Sequence, residues 1–488
     1  MKRFLILLVT GLTAMTDLHG AAAGTARPNI LFAIADDWGW PHAGVYGDPV
    51  VKTPTFDRVA KEGVLFQHAF ISSPSCTPSR NAILTGQQFW RLGTGANLWS
   101  TLDTKFKTYP LLLQEAGYFV GHWRKSWGPG RLTGWENDHP AGKAFKGVDD
   151  FLKQWPRDKP FCFWFGASDP HRPYKEGSGK ESGMDLSKIK LFEHYPDSEE
   201  IRGDVADYYW EVQRFDRELG EALEKLEALG VLDNTLVVVT GDHGMPFPRC
   251  KSNLYDSGAR VPLAIRWPEV IKAGRVLEDF VSTTDLAPTF FEAAGTKMPE
   301  GVTGRSLMNV LRSPVSGRIE PFRDRVVMGK ERHVVAQEAP DRGGTPMRAI
   351  RTFDYLFIQN FRPDRWPSGT PHHEKATIPG AWLADCDNGP TKTYMVVNQG
   401  KDEEHRLKYD LAFAKRPEFE LYDLTKDPDQ LHNVAYETDY IEARGRLQRR
   451  LTDQLKATDD PRIFGRGDET FDPPPYFGTG PRYPGLKK

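Results

Sequence analysis

Three short stretches end in side chains able to do chemistry together. Asp36 and Asp37 close the apolar run PNILFAIADDWG. Asp242 and His243 close a second, NTLVVVTGDHG, and Asp169 and His171 follow a third, PFCFWFGASDPHRPY. Carboxylates gathered at one edge repel one another unless a cation neutralises them. Oxygen-rich ligation suits a hard ion such as calcium or magnesium, and His243 would add a nitrogen. Each acid could instead cap a neighbouring helix, but two strand-end pairs together with the hexapeptide SCTPSR favour a metal.

A fourth stretch is Ser75-Cys76-Thr77-Pro78-Ser79-Arg80, followed by NAILTG. Pro78 fits the first turn of a helix, which leaves Cys76 just before it. The helix amino terminus and Arg80 both favour an anion there and should lower the thiol pKa. The alternative is an ordinary buried cysteine at a helix start. Cys76, Cys162, Cys250 and Cys386 are the four cysteines. Without a CxxC pair they do not read as a structural zinc site. With Cys76 reserved for chemistry, at most one disulfide can form among the rest.

The elements that must position these residues are legible from pattern. Buried strand-like runs alternate with helical segments such as DVADYYWEVQRFDRELGEALEKLEALG. That alternation predicts an α/β fold with a largely parallel sheet, whose ligand site lies beyond the carboxyl ends of its strands. Near residue 340 the texture changes to antiparallel strands and a closing helix, YIEARGRLQRRLTDQLKA, predicting a smaller α+β domain over 341–460. Residues 461–488 are Pro/Gly-rich and read as an extended tail. The chain's 488 residues suit two domains. Its net charge of −2 points neither to nucleic acid nor to an anionic membrane as partner. The basic, then apolar, then small-residue start MKRFLILLVTGLTAM…GAAAGTA reads as a signal peptide over 1–25, placing the protein outside the cytoplasm, secreted or periplasmic. A membrane anchor is the alternative, for which that run is short, and no other segment is long and apolar enough to span.

CTPSRNAILTG resembles the signature of type I sulfatases, C-[S/T]-x-x-R followed by an apolar pair and TG. The resemblance extends to NILFAIADDWG, GDHG and ELYDLTKDPDQLHNVA, and so covers nearly the whole chain past the leader. It implies an alkaline-phosphatase-like sulfatase fold, a large mixed central sheet flanked by helices, over 26–340. It also implies that a maturation enzyme converts Cys76 to Cα-formylglycine, whose hydrated form is the nucleophile. One calcium ion would be held by Asp36, Asp37, Asp242, His243 and modified Cys76; the fourth ligand is commonly Asn in this family. Arg80 matches the arginine that holds the formylglycine. Lys125 matches a lysine touching nucleophile and sulfate, His171 the histidine that protonates the leaving group, and Lys251 a basic residue near the sulfate. Trp127 stands where the family has a sulfate-contacting histidine, and His122 lies nearby at the wrong offset.

Within the family, DPHR, PFPRCKSNLY and the PMR…NF stretch are most similar to sulfamidase-like and bacterial polysaccharide sulfatases. That similarity implies a sulfated oligo- or polysaccharide as substrate; the expectation is exo-type removal of a sulfate ester, with cleavage of an N-sulfoglucosamine sulfamate as the alternative. Arg172, Glu331, Arg332 and His333 would line the sugar pocket, with Arg172, Arg332 and Lys251 as a basic rim; the loop GKERHVVAQ could equally be an exposed polar loop. His372 and His373 read as a solvated loop. Two rivals are a phosphatase or phosphodiesterase on the same fold, which would carry Ser or Thr as nucleophile and two zinc ions, and a non-catalytic protein that binds sulfated glycans.

Overall fold

In this computed structural model residues 27–136 and 138–484 are described; the signal peptide expected over 1–25 lies outside them. Twelve strands form two sheets. The large sheet contains β1 (Asn29–Ala35), β2 (Val64–Phe70), β3 (Phe119–Trp123), β4 (Lys143–Ala144), β5 (Phe161–Gly166), β6 (Thr235–Gly241), β7 (Leu263–Arg266) and β8 (Arg275–Ser282). Their order is β4-β3-β5-β1-β6-β7-β2-β8. Every pairing is parallel except those of β7, which runs against β6 and β2. The sheet is therefore mixed, as expected.

β1 shows why these runs form central strands. Ile30, Phe32 and Ile34 point into one apolar cluster, and Leu31, Ala33 and Ala35 into the other. Both faces are covered, so the strand reads as continuously apolar rather than alternating. One covering helix, Glu199–Ala228, starts at Ser198, whose hydroxyl accepts from Ile201 N.

The small sheet contains β9 (Arg325–Lys330), β10 (Met347–Thr352), β11 (Tyr355–Asn360) and β12 (Phe419–Asp423), antiparallel in the order β12-β11-β10-β9. Leu447, Leu451 and Leu455 of the helix Ile441–Ala457 share one apolar cluster with Ile350, Phe357 and Leu421. A spacing of four residues puts those leucines on one helix face. The sheet takes its first strand from upstream of residue 341. The segment past 460 is also not simply extended: Gly467–Phe471 is helical, Phe471 is fully buried, and Arg482 bridges to Ala381. Apolar residues inside the Pro/Gly-rich stretch account for that docking. All four cysteines are buried and free, so no disulfide forms. Among the described residues no helix is long and apolar enough to cross a membrane.

Candidate active site

The site forms where β1, β5 and β6 end. Asp36 N donates to Asp169 O at 3.0 Å, and Asp242 N donates to Ala35 O at 3.1 Å, tying the three strand ends together. Asp37 adopts φ 73° and donates its backbone N–H to Asp242 Oδ1 at 2.8 Å. The chains approach too closely there for a side chain: a Cβ on Gly241 would lie 2.1 Å from Trp38 O.

Cys76 is the first residue of the helix Cys76–Thr85 rather than the residue before it. Its Sγ lies 3.2 Å from His243 Nε2 and 3.8 Å from Asp36 Oδ1. His243 Nε2 is also 3.2 Å from Asp37 Oδ1 and 3.7 Å from Asp242 Oδ1. Arg80, one turn along the helix and fully buried, reaches Asp242 Oδ2 at 2.9 Å, Asp36 Oδ1 at 3.3 Å and the Lys125 carbonyl at 2.6 Å. Lys125 Nζ contacts both Asp36 oxygens, at 2.5 and 2.6 Å. Lys251 Nζ bridges Asp37 Oδ2 at 2.9 Å and Asp387 Oδ2 at 3.0 Å. His171 Nε2 sits 3.9 Å from Asp37 Oδ2, and its Nδ1 bonds the Arg172 carbonyl at 2.6 Å.

The electrostatics are those of charges held out of water. Burial pushes Asp242 up, but His243, Arg80 and Lys125 outweigh it and hold the carboxyl well below the usual range. Burial opposes the charge on Lys251, yet Asp37 and Asp387 raise its pKa well above the ordinary value. The Cys76 thiol is pushed up to about 12, by burial first, despite Lys125 and Lys251. This corrects the expectation that the helix end and Arg80 activate the thiol: Arg80 is spent on two carboxylates. Asp37 Oδ1 is buried without a hydrogen-bond partner. Two sets, Asp37/Cys76/His243 and Asp36/Cys76/Asp242, each bring three ligand atoms within 4.8 Å of one another. Such a donor set fits a bound cation.

The outer residues divide. His333 Nδ1 bonds Ser75 Oγ at 2.8 Å, one residue before Cys76, and burial lowers its pKa to about 3. Its neighbours in sequence turn elsewhere. Glu331 is buried between Arg348 and Arg462, and Arg332 donates to the carbonyls of Asp472 and Pro474. Arg172 makes a two-pronged bond to Asp204 at 2.8 and 2.7 Å. The expected basic rim is therefore not free: Arg172 and Lys251 already hold carboxylates, and Arg332 holds carbonyls. Trp127 Nε1 donates to Asn81 Oδ1 at 2.7 Å, which commits the indole to the helix. His122 stacks on His139 at 4.1 Å and bonds the Gly142 carbonyl, so it does not join the cluster. His372 is exposed and His373 stacks on Tyr483.

Sequence reasoning missed Asp387 and Asp385. They flank Cys386 in the stretch ADCDNG, a pair of acids that no strand-end pattern marks. Asp385 bonds Lys330 Nζ at 2.7 Å and Val334 N at 2.9 Å, fixing the loop that carries His333.

Comparison with known proteins agrees with this geometry. An ulvan-active sulfatase of Formosa agariphila is 28% identical over 470 residues, covering 92% of this chain and 84% of that protein. The human N-sulphoglucosamine sulphohydrolase is 29% identical over 493 residues, covering 89% and 91%. A protein solved in complex with its substrate D-glucosamine-2-N,6-O-disulfate superposes with a TM-score of 0.60 at 21% identity, covering 89% of this chain and 99% of that one, which shows the shared fold. The family description "Sulfatase" matches residues 28–296, more than half of the sequence. With its strand-end acids, its buried cysteine and its mixed alkaline-phosphatase-like sheet, the chain belongs to the sulfatase family and is a sulfuric ester hydrolase.

Proposed function

We propose that this sulfatase removes sulfate esters from a sulfated oligo- or polysaccharide, using formylglycine made from Cys76 and one calcium ion. The observation that carries the reading is the convergence on Cys76 of His243 and Asp36, with Lys125 and Lys251 on the acids beside it. Asp36, Asp37, Asp242 and His243 would hold the metal, and the buried Asp37 Oδ1, which makes no hydrogen bond and has His243 Nε2 at 3.2 Å, supports that reading. When present, calcium would polarise a sulfate oxygen and formylglycine would offer a geminal hydroxyl in place of the thiol. A thiol held near pKa 12 is a weak nucleophile, which supports conversion by a maturation enzyme.

The chain's own residues then bind, orient and move a proton. Arg80 fixes Asp36, Asp242 and the Lys125 segment in one frame. Lys125 and Lys251 place positive charge where a sulfate monoanion must gain negative charge at the leaving oxygen. A carbonyl only accepts, so His171 Nδ1 keeps its hydrogen on Arg172 O and Nε2 is the nitrogen that exchanges a proton. His171 is half-buried at the mouth, suited to protonate the leaving group as general acid. His333 remains a pocket residue in this reading, whereas Arg172, Glu331 and Arg332 support the pocket from behind. With Cys76 only 2% exposed, a chain end reaches it more readily than a chain interior, which favours exo-type action. The leader-like start supports a secreted or periplasmic location.

The similarity to an N-sulphoglucosamine sulphohydrolase favours a second reading, cleavage of a sulfamate. The test assays saccharides sulfated on each ring oxygen and on nitrogen beside an aryl sulfate. Turnover of the aryl sulfate alone removes the glycan assignment, and cleavage of the N-sulfated sugar alone replaces ester by sulfamate.

A further inference from the structure

We propose a second oxyanion site, built by Gln88, Arg305 and Arg325 at the far end of the Cys76 helix and sized for one sulfate-like group. The helix has ten residues and so puts this place about 15 Å from the nucleophile. Gln88 lies just past its end and is only 8% exposed. Ser72 Oγ donates to Gln88 Oε1 at 2.7 Å, and the amide nitrogen is turned away from that hydroxyl. Gln88 Nε2 has no hydrogen-bond partner among the described residues, and the side chain lines a cavity of about 70 Å³. An amide nitrogen only donates, so what it lacks is an acceptor.

Charge points the same way. Three arginines line the cavity, Arg305, Arg323 and Arg325, with one acid, Asp285. Asp285 and Glu320 are both taken by Arg323, at 2.8 and 2.7 Å. Asp324 is shared by Arg325 at 2.6 Å and Arg450 at 2.7 Å. Four arginines thus face three acids. The unmatched one is Arg305, whose guanidinium makes no ion pair among the described residues and lies 5.3 Å from the Phe322 ring. Phe280, Val326 and Val327 supply an apolar floor that strengthens any charge placed above it.

Size selects the occupant. A water needs about 10–15 Å³ of such space, so the cavity holds roughly five heavy atoms, which a tetrahedral oxyanion fills. That oxyanion could be a sulfate group still carried on a glycan or the free inorganic ion. The site does not depend on the hydrolytic reading above, and neither Arg305 nor Arg325 touches the Cys76 cluster.

The test begins with crystals of the enzyme as purified, soaked in selenate, whose anomalous scattering marks its position. The expected result is a peak between Gln88, Arg305 and Arg325 that is absent from the R305Q/R325Q protein. That variant should fold, because Arg305 is exposed and Arg450 still holds Asp324, and should keep aryl sulfate turnover within about twofold. No peak at a concentration that fills the Cys76 site overturns the proposal, as does a peak that survives the double substitution. Titration of both proteins, each also carrying C76A, then separates the sources. A loss of about tenfold or more in affinity for a multiply sulfated oligosaccharide assigns the glycan; a loss confined to inorganic sulfate assigns the free ion; no change in either refutes the site.

Discussion

Cys76 is not expected to work as a thiol. The residue is only 2% exposed, and burial raises its thiol pKa to about 12, against an ordinary 9.0. With no cation beside it, such a thiol at about pH 7.5 is ionised in roughly 3 molecules in 100,000, about a thousandfold less than an ordinary one. Unconverted protein should therefore show only residual activity, close to that of C76A. Enzyme is made with and without a maturation enzyme, and intact mass of the Cys76 peptide gives the converted fraction. Specific activity plotted against that fraction should be a straight line through the origin. The C76A protein marks the floor. Removing one buried heavy atom costs on the order of 1 kcal/mol, so the variant should fold and its inactivity should be chemical. Near-full activity in unconverted protein or in C76A would refute both the nucleophile and the geometry argued for it.

Chelation should lower activity and melting temperature together, since Asp36, Asp37 and Asp242 lose their shared counter-ion; at calcium a hundredfold above Kd, re-addition should return about 2.7 kcal/mol, and stoichiometric zinc without calcium by elemental analysis would contradict this. W127F leaves Asn81 Oδ1 without its donor and should cost about 1–3 kcal/mol in denaturant unfolding while aryl sulfate kcat changes little; a collapse of kcat without destabilisation would make Trp127 a substrate contact. His42 is lowered to about 4, chiefly by burial, so between its unfolded value near 6.5 and pH 4 the unfolded chain binds the extra proton. Stability from His42 is thus full above about pH 6.5 and lost as pH falls, by about 2 kcal/mol at pH 5; H42F should flatten the acid limb of the unfolding curve by that amount, and an unchanged limb would show that His42 does not titrate there.

What the sequence made legible follows a physical rule. Asp36, Asp37, Asp242 and His243 close strands buried on both faces, and a parallel sheet has its site at those ends, so pattern alone places them together. Cys76 and Arg80 are one helical turn apart, so local spacing suffices for them as well. The small domain's contributions were less legible. Glu331, Arg332 and His333 are consecutive in sequence, yet one turns to arginines, one to carbonyls and one to Ser75. Nothing local distinguishes them, because each answers to a partner far away in the chain. Asp387 is hidden for the same reason: its partner Lys251 is 136 residues distant. The Trp127 indole was legible as a departure from the family, but its destination, Asn81, needed the fold.

These distant partners also change the nucleophile's helix. Ser75 holds the N-cap position, where a serine hydroxyl ordinarily accepts from the first-turn amides. Here it makes no such bond and instead pairs with His333 Nδ1. Pro78 has no N–H to offer, and Ser79 N already bonds Ser75 O. The remaining amides of the first turn, at Cys76 and Thr77, therefore keep their positive character at the end of the helix where the reactive side chain stands. A serine spent on capping would have cancelled part of that field. In the proposed reading His333 would therefore act on the site through the helix start as well as through the pocket, and the Lys330–Asp385 pair that fixes its loop would belong to the same arrangement.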